Sequence, residues 1–159
     1  MNIIITLPID LIAEIAEGRK LVEIRKSCPT LFNPDGDIVW VKTKGADKVP
    51  MCFEIDHFEK SNDLEDVWKR YHSQMGINQV WWYKYTQDAI EVVIWHIKNV
   101  QIFQPNLSFS ETFPNLPAPQ SYIYTAKGII QTKHRSVKKK EPKEGAEGWR
   151  MPPTKKAIQ

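Results

Sequence analysis

The stretch Ala89-Ile90-Glu91-Val92-Val93-Ile94-Trp95-His96-Ile97 restricts the fold open to this chain more than any other. Its β-branched and aromatic side chains lose rotamer freedom in a helix and pack well on a pleated surface, so it predicts a strand lying centrally in a sheet. A turn or bulge at Lys98-Asn99 leads into Val100-Gln101-Ile102-Phe103, and Pro105 closes the stretch. Further strands are expected at Asn2 to Thr6, Lys20 to Arg25, Asp37 to Thr43, Val49 to Phe58 and Ser121 to Thr125. Helices are fewer. One opens at Leu7-Pro8, carries Leu11, Ile12, Ile15 and Ala16 as its apolar stripe, and stops at Gly18. Asp63 caps a second, which Gly76 ends, and Asn78 caps a third through Trp81, Trp82 and Tyr85. This predicts an α+β, mainly β fold: a small twisted or closed sheet with helices packed at its ends.

The charge is divided unevenly. Residues 1–126 carry twelve Lys and Arg against sixteen Asp and Glu, whereas 127–159 carry ten against three. That last segment has few apolar residues to bury, so the expected organisation is a domain over 1–125 and a basic, disordered tail over 126–159. Its Lys138, Lys139 and Lys140 either form an electrostatic arm for nucleic acid or serve only to solubilise. Pro114 to Pro119 reads as an extended surface link. The amino terminus lacks a basic n-region, and no run reaches the eighteen or so apolar residues of a membrane span, so a cytoplasmic protein without membrane association is expected.

Several chemistries have no support. Two cysteines, Cys28 and Cys52, make neither a disulfide framework nor a closed zinc site and are read as reduced thiols. His57, His72, His96 and His134 show no metal-ligand spacing, and no serine lies in a nucleophile elbow. There is no Gly-rich phosphate loop, so no cofactor is expected.

Lys20, Glu23 and Arg25 are the polar residues most suited to a site. In a strand begun at Lys20, Glu23 and Arg25 share one face and Lys20 the other. Arg25 is able to fork onto a phosphate, Lys20 to act as a point charge, and Glu23 to accept from an exocyclic amine. Equally, Glu23 and Arg25 pair and merely brace the sheet. Trp40 and Trp68 are expected in the core, while Trp81, Trp82 and Tyr85 are either core residues or a surface on which bases stack.

Three stretches resemble the ASCH domain family of the PUA-like superfamily. Gly18-Arg19-Lys20-Leu21-Val22-Glu23-Ile24-Arg25-Lys26 is similar to its Gly-x-Lys-x-x-Glu-x-Arg signature. Asp66 to His72, Gly76-Ile77-Asn78 and Trp82 to Tyr85 resemble its helical insertion, and Ala89 to Phe103 with Pro105 and Leu107 resembles its closing strands. The resemblance covers Ile3 to about Leu107 and implies a PUA-like β-barrel with a cleft, in a superfamily whose members mostly bind RNA, sometimes at a modified base. One branch hydrolyses N4-acetylcytidine. There Lys20 would match the catalytic lysine and Arg25 the arginine, but Glu23 stands where that branch has threonine, and no motif places its glutamate, for which Glu59 and Glu65 are the candidates. A carboxylate beside Lys20 keeps it protonated, which favours binding over catalysis. The expectation is RNA binding through a cleft around Lys20, Glu23 and Arg25, edged by Trp81, Trp82 and Tyr85. A nucleoside hydrolase or RNA-processing enzyme using Lys20, and a protein-interaction adaptor, are the alternatives.

Overall fold

The protein is represented by a computed structural model that describes residues 1–126 and the backbone of 134–136. In chain order the elements are β1 (Asn2–Leu7), α1 (Ile9–Ala16), β2 (Val22–Arg25), β3 (Val39–Thr43), β4 (Val49–Ser61), α2 (Leu64–Met75), α3 (Gln79–Thr86), β5 (Val92–Leu107), α4 (Phe109–Thr112), β6 (Tyr122–Thr125) and β7 (His134–Ser136). One mixed sheet runs β2-β5-β4-β3-β1-β6, with β7 also against β5. Among the described residues only β1 and β3 pair in parallel, and the other neighbouring pairs are antiparallel.

The near-continuous apolar runs follow from burial of both sheet faces. Ile3, Ile5, Val39, Val41, Val93, Trp95 and Ile97 enter one cluster together with Ile12 and Ile15 of α1. Their alternates face the other way and split into two clusters. Val22, Ile24, Val92 and Ile94 meet Val67, Met75 and Trp82 of α2 and α3, whereas Ile4, Trp40, Cys52 and Phe103 meet Phe109 and Phe113 around α4. Trp40 is a core residue as expected, and Trp68 packs partly buried against the α2/α3 cluster. Cys28 and Cys52 are both free, and burial pushes the Cys52 thiol up to about 12.

Local signals placed most elements. Asp63 accepts from the Asp66 N–H and Asn78 from the Trp81 N–H, each satisfying an otherwise unpaired amide at a helix start. Asp63→Ala is expected to destabilise the fold by about 1 kcal/mol, seen as a lower urea midpoint with an unchanged slope. The expected break at Lys98-Asn99 is a bulge within one long strand: Cys52 pairs with Gln101 and Glu54 with Lys98, so Phe53 alone opposes Asn99 and Val100. Asn99 takes φ 51° there.

Two expectations are corrected. The sheet is not closed into a barrel. β2 pairs with β5 and β6 with β1, and between their outer edges the Arg25 Nη1 reaches the Ser121 carbonyl at 3.1 Å. The segment arriving at β6 contains Pro114, Pro117 and Pro119, which have no N–H to give a ladder. The second correction concerns the tail. Most of it, with Lys138, Lys139 and Lys140, lies outside the described residues, but His134–Ser136 runs as a strand where no order was expected. It pairs with Gln101 to Phe103, the part of the β5 edge that four-residue β2 leaves uncovered.

Candidate functional site

Just past α1 and its cap Glu17, Gly18 at φ 75° turns the chain back, and Arg19 is held by Glu14 at 2.8 and 3.2 Å. The backbone N–H groups of Arg19 and Lys20 both donate to the Glu14 carbonyl, which directs Lys20 inward. Its side chain is only 2 % exposed. The ammonium donates to the Val22 carbonyl at 2.7 Å and the Met75 carbonyl at 2.6 Å, and lies 3.0 Å from Glu23 Oε1. Met75 is the last residue of α2, so this cation also sits at the negative end of that helix. Gly76, at φ 77°, makes the approach possible: a Cβ there would meet the Lys20 Cδ at 3.2 Å.

Glu23 joins the two cations. Its Oε2 accepts from Arg25 Nε at 3.0 Å and lies 2.9 Å from Nη2. Burial alone would raise the Glu23 carboxyl, but Lys20 and Arg25 together hold it below its ordinary value. Burial lowers the Lys20 ammonium, with Glu23 acting in the opposite sense. The placement of Lys20 and Glu23 on opposite faces does not hold, because β2 begins only at Val22 and Lys20 belongs to the preceding turn. Pairing of Glu23 with Arg25 does hold. Arg25 also lies over the Trp95 ring, 5.5 Å from its centroid.

A cleft of about 610 Å³ opens between β2 and the C-terminal ends of β1 and β3, lined by Lys20, Glu23 and Arg25. Trp81 and Tyr85 form one wall, stacked with centroids 5.1 Å apart. Lys42 and Lys44 of the β3 end, together with Pro119 and Gln120, complete it. Four of its charged lining residues are cations and one is an acid, so an acidic body contains a cationic cleft.

Trp82, expected at the cleft edge, is 1 % exposed and packs with Trp68 in the α2/α3 core instead. Helical rotation of about 100° per residue sends adjacent tryptophans in different directions. Glu59 and Glu65 do not line the cleft either; Glu65 is exposed and Glu59 is bonded to Tyr71, Arg70 and His96. Lys42 and Lys44 had escaped notice. Strand periodicity assigned Lys42 a face, but nothing local says which distant segment that face meets.

No protein-family model matches the chain, and no curated protein matches it in sequence. Solved structures do. The crystal structure of ASCH from Zymomonas mobilis matches with a TM-score of 0.69 at 18 % identity, covering 79 % of this chain and 88 % of that one. A tyrosine-to-phenylalanine variant of that protein gives 0.69 at 18 %, covering 79 % and 91 %. Its serine-to-alanine variant gives 0.70 at 17 %, covering 79 % and 89 %. At such identity the likeness is one of fold, and this chain has the fold of an ASCH domain.

Proposed function

We propose that the cleft binds single-stranded RNA and takes one base against its aromatic wall. The observation that carries this reading is the Trp81–Tyr85 stack standing beside a buried Lys20–Glu23–Arg25 floor in a cleft of ligand size. A base offers a π face for the wall and an exocyclic amine for Glu23, whose Oε1 has a second lone pair beside Lys20. Lys44 and the outer N–H groups of Arg25 would meet phosphates, each contact adding salt-dependent affinity. Lys138, Lys139 and Lys140 would supply further affinity without sequence preference.

Hydrolysis of a modified nucleoside is the second reading, favoured by the lowered Lys20 ammonium. Against it, all three ammonium protons already have acceptors in Val22, Met75 and Glu23. Lys20 therefore works better as the fixed partner of Glu23 than as a base.

The test is fluorescence anisotropy of a labelled RNA oligonucleotide with the full chain across a salt series. Trp81→Ala is expected to lose about 1–3 kcal/mol of binding with an unchanged salt slope. Arg25→Ala should weaken binding and reduce the slope by about 0.7. Unchanged affinity in both variants overturns the cleft reading, and loss only on replacing Lys138, Lys139 and Lys140 by alanine assigns binding to the tail. Release of a modified base or its acyl group by the full chain, lost in Lys20→Ala while its circular dichroism is unchanged, would instead establish the hydrolase.

A further inference from the structure

A second polar cluster lies on the sheet away from the cleft, and a single backbone irregularity creates it. Ile55 pairs with Ile97 and Phe58 with Trp95, so Asp56 and His57 together oppose the single residue His96. Such a two-against-one bulge breaks the alternation of β4 and re-aims a side chain. Ile55 turns inward and Phe58 packs against the same inner cluster, while Asp56 and His57 both face out, followed by Glu59. The His57 and His96 rings consequently stack in parallel, with centroids 4.0 Å apart and 12° between planes. Glu59 Oε1 is 3.0 Å from His96 Nε2.

We infer that His57, Glu59 and His96 bind a divalent transition-metal ion of the zinc class. One donor atom from each lies within 4.8 Å of the others. Two imidazoles and one carboxylate suit zinc, copper or nickel and not magnesium or calcium, which take oxygen ligands. Around a tetrahedral zinc the donors stand roughly 3.3–3.5 Å apart. The required contraction falls mainly to His57, whose side chain is 55 % exposed.

Neighbouring groups already play the supporting parts. Asp56 Oδ2 accepts from His57 Nδ1 at 2.7 Å, which leaves the Nε2 lone pair for a metal. Tyr71 donates to Glu59 Oε1 at 2.5 Å and Arg70 to Oε2 at 2.8 Å, fixing the carboxylate plane. Metal binding replaces the His96–Glu59 hydrogen bond, the neutral His96 ring then carrying its proton on Nδ1. Arg70 and Lys98 oppose a dication here, and the carboxylates of Asp56, Glu59 and Asp66 offset them.

This site stands independently of the RNA reading, since none of the three residues lines the cleft. Spacing along the chain gave no sign of this set, because His57 and His96 are brought together by the pairing of β4 with β5 and by the bulge. The experiment titrates chelator-treated full chain with zinc sulfate against a chromophoric zinc indicator. One equivalent should bind, and the unfolding midpoint should rise with zinc. Asp56→Asn should weaken binding about 10–100-fold and His57→Ala by more, each with unchanged circular dichroism. His96→Gln should abolish the one-equivalent site. Absence of saturable binding overturns the inference. So does one-equivalent binding equally tight in His57→Ala, which would locate the zinc on the cysteines or other histidines.

Discussion

Lys20→Met lowers the stability of the fold by about 3–5 kcal/mol at neutral pH, as expected when one partner is removed from a buried ion pair. The loss has three parts. Glu23, 6 % exposed, keeps only Arg25 as a counter-charge; the Val22 and Met75 carbonyls lose their donor; and the end of α2 loses its cation. Urea unfolding of the two proteins at pH 7 measures the difference. Because the folded-state Glu23 carboxyl is depressed, its contribution is complete above its ordinary value of 4.5 and disappears as pH falls through the folded value. The gap between wild type and Lys20→Met should accordingly narrow below pH 4.5. Adding Glu23→Leu to Lys20→Met should restore much of the loss, since the stranded charge is then gone. A single-variant loss under about 1 kcal/mol would refute a structural role for the pair.

Trp82→Ala is expected to cost about 3–5 kcal/mol of stability, the range for emptying a large aromatic site in a core. Its ring is 1 % exposed, stacks 5.8 Å from Trp68, and fills the space between α3 and the β2–β5 strands. The neighbouring Trp81→Ala, by contrast, should leave the urea midpoint nearly unchanged and weaken RNA binding. Measured side by side, the two substitutions separate fold from function within one turn of helix. RNA affinity of the folded fraction of Trp82→Ala should match wild type; equal effects of both substitutions on binding would place both rings in the cleft.

Much of the fold was legible because its signals are local. Asp63, Asn78, Gly18 and Gly76 mark helix ends through hydrogen bonds and φ values made within a few residues. The bulge at Asn99 and the strand at Tyr122–Thr125 were legible for the same reason. α4 was not, since four residues give too short a period to read, although Ser108 caps it. The cleft was half legible. Lys20, Glu23 and Arg25 stand within one short motif, but Lys42, Lys44 and Pro119 join them through packing of segments far apart in sequence.

Amino-acid order alone determined that this chain forms a mainly β fold, that Glu23 and Arg25 share one strand face, and that positive charge accumulates after residue 126. Those properties depend on neighbours or on composition. Tertiary structure decided that Lys20 turns in to meet Glu23, that the sheet stays open between β2 and β6, that Trp81 and not Trp82 faces the cleft, and that His57 meets His96. Each of these depends on which strand edges remain unpaired and where a bulge shifts the register, and both are set by packing across the whole sheet.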